Sequence, residues 1–578
     1  IFQTVTDPLN NSAGTVTTGS TPDTQGFTSG STPSGNDSDP DNQPATYPVN
    51  TASIAYLEDA GGNALEYGVD AQGRITAQRD GSGHQTNLVW DAANNRTSVI
   101  APDGTTTTMA YDGRGNLTTV TDPTNRVTTR TYDVRNNVLT TVDAAGKTTT
   151  NTYDVKNNLL TSTDPTGRVT SQTYNANGRI ATSTDPAGKV TTYGYSPNLD
   201  PTSVTDPLGN VTSTTYSLGQ VTSRTDALGR VTTYGYDAWK RPTLVDYPQS
   251  TDQTFTYDRE GRMTQSVDGT GTRTYTYDLL GRKTQQVDPR GTTNATYDGA
   301  GRLLTQTDPT GRQISYAYDG DGALTGISDP ISSATHLYDS RHRLVKTTYH
   351  TGVTSTYTYD SAGRTTNLVH RQANQTVIAS YATTYDTAGR MAQTVEGPAA
   401  SAATTTYGYD FAGRLTSENR TGVNPYVSSY TYETRGLRAT AVRSEGGVTS
   451  HNGTYTYDDA GRLTNVAETA AGSVLGGLYS WNADGTLASM PGQTAGTRRV
   501  LSYDEEGRLT QISRLQSGTT TPLFRYGYGF DGGRRWRKDL NANVWDWYPC
   551  GVACCAGELV TLRSTNGGAS WSTLETSY

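Results

Sequence analysis

Runs of five or six residues rich in Val, Leu, Thr and Tyr alternate along the chain with clusters of Asp, Asn, Gly and Pro. Residues 153–173, YDVKNNLLTSTDPTGRVTSQT, show the unit. A turn from Tyr153-Asp154 to Asn158 leads into a strand over Leu159 to Thr163. A second turn, Asp164-Pro165-Thr166-Gly167-Arg168, leads into a strand over Val169 to Thr173. Asp at the first turn position accepts a backbone N–H, Pro presets φ near −65°, and Gly three residues after the Asp supplies the positive φ of a tight hairpin. β-Branched and aromatic runs between such turns predict one β-hairpin per unit. Helical patterning is absent, and Gly and Pro recur too often to permit it.

The unit repeats. Tyr111, Tyr132, Tyr153, Tyr174, Tyr195 and Tyr216 are each 21 residues apart, and the series runs on through Tyr236, Tyr257, Tyr277, Tyr297, Tyr318, Tyr338 and Tyr359. It then loosens to spacings of 22 to 26 through Tyr385, Tyr409, Tyr432, Tyr457, Trp481 and Tyr503, while Tyr67 and Trp90 hold the same place upstream. The fold class expected is all-β: one long antiparallel meander of hairpins, with equivalent tyrosines in register and stacked as a ladder along the sheet. The repeat positions that carry this reading are Tyr111, Asp112, Tyr132, Asp133, Tyr153, Asp154, Asp164, Pro165, Gly167, Tyr174, Tyr195 and Tyr216. A Tyr or Asp repeated some twenty times makes no sense as a catalyst, so Tyr-Asp reads as strand end plus turn cap.

Composition narrows the class further. Only 32% of the 578 residues are hydrophobic, with 38 Tyr against 6 Phe and 4 Met. Such a chain cannot fill several dry cores, but it can build thin sheets with half-buried faces. A net charge of −9 argues against nucleic acid as the main partner. No apolar run approaches the roughly 20 residues of a membrane span.

On the segments YDGRGNLTTVTDPTNRVTTRT (111–131) and YDGAGRLLTQTDPTGRQISYA (297–317), the sequence resembles the YD-repeat, or RHS, family. That resemblance implies a hairpin strip that spirals into a hollow β-shell. In bacterial RHS proteins and the C components of ABC-type toxin complexes such a shell encloses a C-terminal toxic domain, and in teneurins a similar shell is an adhesion module. It further implies a secreted or cell-surface location and no catalysis by the repeats. Bacterial effectors of the family end the shell with an Asp-Pro-x-Gly-Leu segment that supports self-cleavage. Asp206-Pro207-Leu208-Gly209-Asn210 departs from it in its last residue and sits mid-repeat, so neither autoproteolysis nor toxicity carries over.

Four segments are expected: a partial repeat at 1–22, a polar insertion at 23–50, the repeat shell at 51–535, and a Trp/Cys-rich terminal cap at 536–578. Ile1 to Asn10 aligns with the interior of a repeat, so the chain reads as a portion of a longer protein. Roughly 44 strands at ~4.8 Å give a strip ~200 Å long, whose edges need a partner. The candidates are missing segments of the same protein, an enclosed polypeptide cargo, or further copies of the chain. Copies adding head to tail would make a structural or adhesive filament, the alternative reading.

Candidate chemistry is sparse. Asp37, Asp39 and Asp41 alternate like the start of a calcium loop but lack its glycine and distal acid. Cys550, Cys554 and Cys555 are candidates for a disulfide, with free thiols and a poorly patterned zinc site as the alternatives. His336, His342 and His350 read as surface or turn residues, His342 in place of a turn glycine, and Asp319-Gly320-Asp321-Gly322 as an ordinary turn, with a calcium loop the weaker alternative. No catalytic, cofactor-binding or metal residue is assigned. Glycans enter twice as partners. Sequons such as Asn95, Asn116, Asn210, Asn294, Asn374, Asn419 and Asn452 arise where a turn Asn precedes a strand Thr, and exposed aromatics can stack on sugars.

Overall fold

The computed structural model describes residues 64–398, 401–470, 476–494 and 496–547, together with the strands Val16–Gly19, Thr51–Glu58, Thr561–Ser564 and Ser572–Glu575. Fifty strands are found among the described residues, and no α-helix. They fall into a 41-stranded and a 9-stranded sheet. In every pairing described here, sequence neighbours run antiparallel, so the long meander read from the sequence is the observed fold.

The unit at 153–173 forms as its turns dictate. Strands span Leu159–Thr163 and Val169–Tyr174. At the second turn Gly167 N–H donates to the Asp164 carbonyl at 2.9 Å, and Asp164 N–H donates to the Arg168 carbonyl at 3.0 Å. Gly167 has φ 82. This is a type I turn followed by a left-handed residue, the geometry of a three-residue hairpin loop. The first turn repeats it, with Asn157 at φ 67 in the glycine's place. Each Tyr then faces a register shift: Thr152 pairs with Thr161, whereas Tyr153 pairs with Leu159. The resulting bulge adds local twist once per repeat.

Threonine has a specific place on the strands. Opposed hydroxyls meet across neighbouring strands, Thr131 with Thr140, Thr152 with Thr161 and Thr173 with Thr182, each at 2.6 Å. These cross-strand pairs satisfy one another on a face that stays wet. The opposite face is the covered one: along Gly271–Tyr277 and Gly291–Tyr297, buried and exposed residues alternate. Buried apolar groups are few and scattered: mostly small or aliphatic residues such as Ala77, Ala295, Ile314, Ala403 and Val466, with the aromatics Tyr247, Phe255 and Tyr275. The largest fully buried side chains include Arg273 and Gln306. Cohesion rests on backbone ladders and polar networks more than on an oily core, as the low hydrophobic content requires.

The chain forms two compact units. One comprises Ile1–Thr148, Thr296–Thr305 and Ile314–Ala402, and the other Thr149–Ala295, Gln306–Gln313 and Ala403–Tyr578. At the start, Val16–Gly19 pairs antiparallel with Thr51–Glu58. Within 536–578, strands Val544–Trp547, Thr561–Ser564 and Ser572–Glu575 continue the meander from Arg534–Asp539, and the Trp536 and Trp545 rings lie 5.2 Å apart. Asp37, Asp39, Asp41, Cys550, Cys554 and Cys555 lie outside the described residues.

Candidate functional site

The repeat positions form a chain of identical joints. Each Tyr hydroxyl donates to a main-chain carbonyl in the preceding repeat: Tyr111 to Arg96 (2.9 Å), Tyr132 to Leu117 (2.7 Å), Tyr174 to Leu159 (2.8 Å), Tyr195 to Ile180 (3.0 Å) and Tyr216 to Pro201 (3.0 Å). The Asp after it caps its own turn. Asp112 Oδ1 accepts the Arg114 and Asn116 amides, and Asp133 and Asp154 accept the equivalent pairs. In the second turn Asp164 Oδ1 accepts the Thr166 and Arg168 amides, with Pro165 between. The Asn116 side chain and amide hold the Asp112 carboxyl at about 2, from an ordinary 3.8.

The expected stack of tyrosine on tyrosine is corrected by the structure. Where the preceding turn ends in arginine, that arginine lies over the ring: Arg241 over Tyr257, Arg262 over Tyr277, Arg302 over Tyr318, Arg343 over Tyr359 and Arg414 over Tyr432, with Cζ 4.5–5.1 Å from the ring centroid. Equivalent tyrosines are two strands apart, roughly 10 Å at ~4.8 Å per strand, and the guanidinium lies in that interval as a cation over a π face.

Within each unit, the turns of an early run of strip meet the turns of a later run. The early run always offers the second kind of turn and the later run the Tyr-Asp kind. In the first unit Arg341 Nη1 donates to Asp103 Oδ2 (3.2 Å), Ser361 Oγ donates to the Pro123 carbonyl (2.9 Å), and Arg126 Nη1 donates to the Ala388 carbonyl (3.5 Å). These partners are 238 to 262 residues apart. A Cβ at Gly389 would overlap the Arg126 guanidinium, the end of a flexible side chain that can move aside, so what requires glycine at this turn is its φ of 85. Burial works against the Asp103 carboxylate, but bonds from Thr105 and Arg341 outweigh it and lower its pKa. In the second unit Arg230 Nη2 donates to Asp484 Oδ2 (2.8 Å), Lys189 pairs with Asp459 (2.8 Å), and the Gln249 amide donates to Glu505 (3.0 Å). Tyr247 donates to Glu506, and burial together with that carboxylate raises the phenol's pKa.

One stretch of the first unit's seam carries a different set of side chains. Asp80 and His84, from an early turn, meet Asp321 and His342, from two later turns. His342 Nε2 is 2.8 Å from Asp80 Oδ2, and His84 Nδ1 is 3.3 Å from the same oxygen. Asp321 Oδ2 faces His84 Nδ1 at 3.9 Å and His342 Nδ1 at 4.0 Å. His342 does hold the turn-glycine position, with φ 57, as the sequence indicated. Its spatial neighbours, 262 residues away in the case of Asp80, were not legible there.

Two family models match the sequence. The teneurin YD-shell model covers residues 58–229, and the RHS repeat model covers 216–252, 257–293, 297–330 and 338–377. Together they account for more than half of the chain. The chain belongs to the YD/RHS-repeat family. No curated protein matches its sequence. Among solved structures, this YD/RHS chain is similar to TcdB2-TccC3-TEV, with a TM-score of 0.72 at 16% identity over 88% of this chain and 32% of that one. It is similar to the Photorhabdus luminescens Tc holotoxin pore, with a TM-score of 0.72 at 16% identity over 89% and 32%. TcdB2-TccC3 without its hypervariable C-terminal region gives 0.66 at 15% identity over 90% and 34%. The YD/RHS chain thus spans about a third of the length of these solved chains. At such identity the similarity is one of fold, and the fold is the YD/RHS shell fold.

Proposed function

We propose that this YD/RHS chain is a section of wall in a secreted or surface-displayed shell that encloses or displays a polypeptide, and that it performs no chemistry of its own. The observation that carries the reading is the seam. In each unit, edge turns that would otherwise face solvent are taken up by later turns of the same chain, with complementary charge at Arg230–Asp484 and Arg341–Asp103. A strip whose edges close on itself is suited to making a continuous barrier. The repeated Tyr and Asp groups are occupied in joints and turn caps, which supports a structural role for them. One similar solved structure is a Tc holotoxin pore, and another was determined without a hypervariable C-terminal region, which supports a shell that holds a separate polypeptide.

Negative-stain electron microscopy of the native protein, with intact mass on the same sample, tests the reading. Discrete hollow particles with a mass above 61.9 kDa are expected, together with a passenger segment resistant to added protease. Long filaments with a regular repeat would overturn it and make the chain a structural subunit.

A further inference from the structure

We propose that Asp80, His84, Asp321 and His342 form a binding site for a divalent transition-metal ion of the zinc class, which clips an early turn of the first unit's strip to two later ones. The potential ligand atoms all lie within 4.8 Å of one another. Zinc takes imidazole nitrogen and carboxylate oxygen in a tetrahedron with arms of about 2.0–2.2 Å, which sets ligand-to-ligand edges at roughly 3.3–3.6 Å. With Nε2 as the His342 ligand, three of the edges are 2.8, 3.3 and 3.9 Å, on either side of that value, and closing the remaining edges needs a shift of about 1 Å or less. His342 is half-exposed and can turn its ring to present one nitrogen.

Two further observations separate this cluster from an ordinary surface ion pair. First, both carboxylates are held from behind. Asp80 Oδ1 accepts the His84 amide at 2.7 Å, and Asp321 Oδ1 accepts the Ser82 amide at 2.9 Å, leaving each Oδ2 aimed at the centre. Such outer contacts fix ligand orientation in metal sites. Second, the centre is only partly satisfied: His342 Nε2 pairs with Asp80 Oδ2 at 2.8 Å, and the other side of the cluster has no such contact. The Asp321 side chain is only 6% exposed, yet its Oδ2 is 3.9 and 4.0 Å from the imidazoles, beyond hydrogen-bonding distance. His84 Nδ1 is buried and makes no hydrogen bond of acceptable geometry. Two carboxylates converging this closely repel unless a cation lies between them. Two carboxylates supply the charge to balance a dication, and the two imidazole nitrogens favour a borderline metal over calcium.

The test uses the full chain, chelator-stripped and with cysteines alkylated so that Cys550, Cys554 and Cys555 do not contribute. Zinc is titrated by calorimetry, and cobalt(II) is followed by its visible absorption. One equivalent per chain, a tetrahedral cobalt spectrum and a zinc-dependent rise in Tm are expected. His342→Gly keeps the turn, because glycine is the residue this position carries in most repeats. Asp321→Asn keeps the acceptor for Ser82. Each is expected to weaken zinc at least tenfold and to abolish the Tm rise, with the zinc-free Tm little changed. Substoichiometric zinc in the parent chain, or affinity unaltered in both variants, would overturn the site and leave a hydrogen-bonded cluster.

Discussion

Arg302 lies over the ring of Tyr318, its Cζ 5.1 Å from the centroid, while its Nε donates to Asp298 Oδ2 at 2.6 Å and its Nη1 to the Asp319 carbonyl at 3.0 Å. One side chain thereby braces its own turn, the next turn and the next repeat's aromatic ring. The Tyr318 hydroxyl returns the link by donating to the Leu303 carbonyl at 3.0 Å. Joints of this kind connect only neighbours, the energetic pattern of repeat proteins.

Arg302→Ala is expected to cost about 1–2 kcal/mol, mostly the lost cation–π contact, because the partly exposed ion pair contributes little. Arg302→Lys should recover less than half, since an ammonium cannot serve three partners from one plane. Hydrogen exchange checks it: faster exchange confined to the turns at 298–302 and 319–323 is expected.

Glycine at the left-handed turn position is required by its φ. Gly167 has φ 82 and open space where a Cβ would go, so Gly167→Ala should cost about 1–2 kcal/mol from backbone strain alone. Gly167→Asn should cost only a few tenths, as Asn125 and Asn157 adopt φ 62 and 67 in equivalent turns. Gly389→Ala carries the same strain and moves the flexible Arg126 end off the Ala388 carbonyl, a 3.5 Å contact, so its denaturation midpoint should fall by about as much as that of Gly167→Ala.

Acid should loosen the turns in a defined window. Burial opposes the Asp122 and Asp164 carboxylates, but bonds from Thr124 and Arg126, and from Arg168 and Thr166, hold both at about 2 against an ordinary 3.8. A depressed folded value means that the contribution is complete above about pH 4 and lost as the pH falls through about 2. Far-ultraviolet circular dichroism should be flat from pH 7 to 4 and fall between 4 and 2. A transition centred near pH 6 would contradict the turn-cap account.

The seam contacts should differ in strength according to their exposure. Arg230 and Asp484 are 13% and 10% exposed, whereas Lys189 and Asp459 are 35% and 51% exposed. A double-mutant cycle on Arg230→Gln and Asp484→Asn should give a coupling of about 1 kcal/mol, and one on Lys189→Gln and Asp459→Asn about 0–0.3 kcal/mol. The first should persist in part at 1 M salt, and the second should vanish.

What the sequence by itself determined was each turn and the strands that flank it. Asp164-Pro165-Thr166-Gly167 specified its turn because the cap, the φ preset and the left-handed residue act on adjacent peptide units. The Leu159–Thr163 strand followed from β-branched residues between two such turns. The meander is the sum of those local choices, and the resemblance to YD/RHS repeats rests on the same residues. Tertiary structure decided what lies across a gap. That an arginine lies over the rings of Tyr257, Tyr277, Tyr318, Tyr359 and Tyr432 depends on the rise between repeats, which composition does not encode. That Pro123 meets Ser361, or Asp80 meets His342, depends on how far the bulged and twisted strip travels before it passes itself. A small change of twist per hairpin, accumulated over about ten repeats, would bring a different turn to that place. The seam, and the His/Asp cluster on it, is therefore a property of the winding and not of any one repeat.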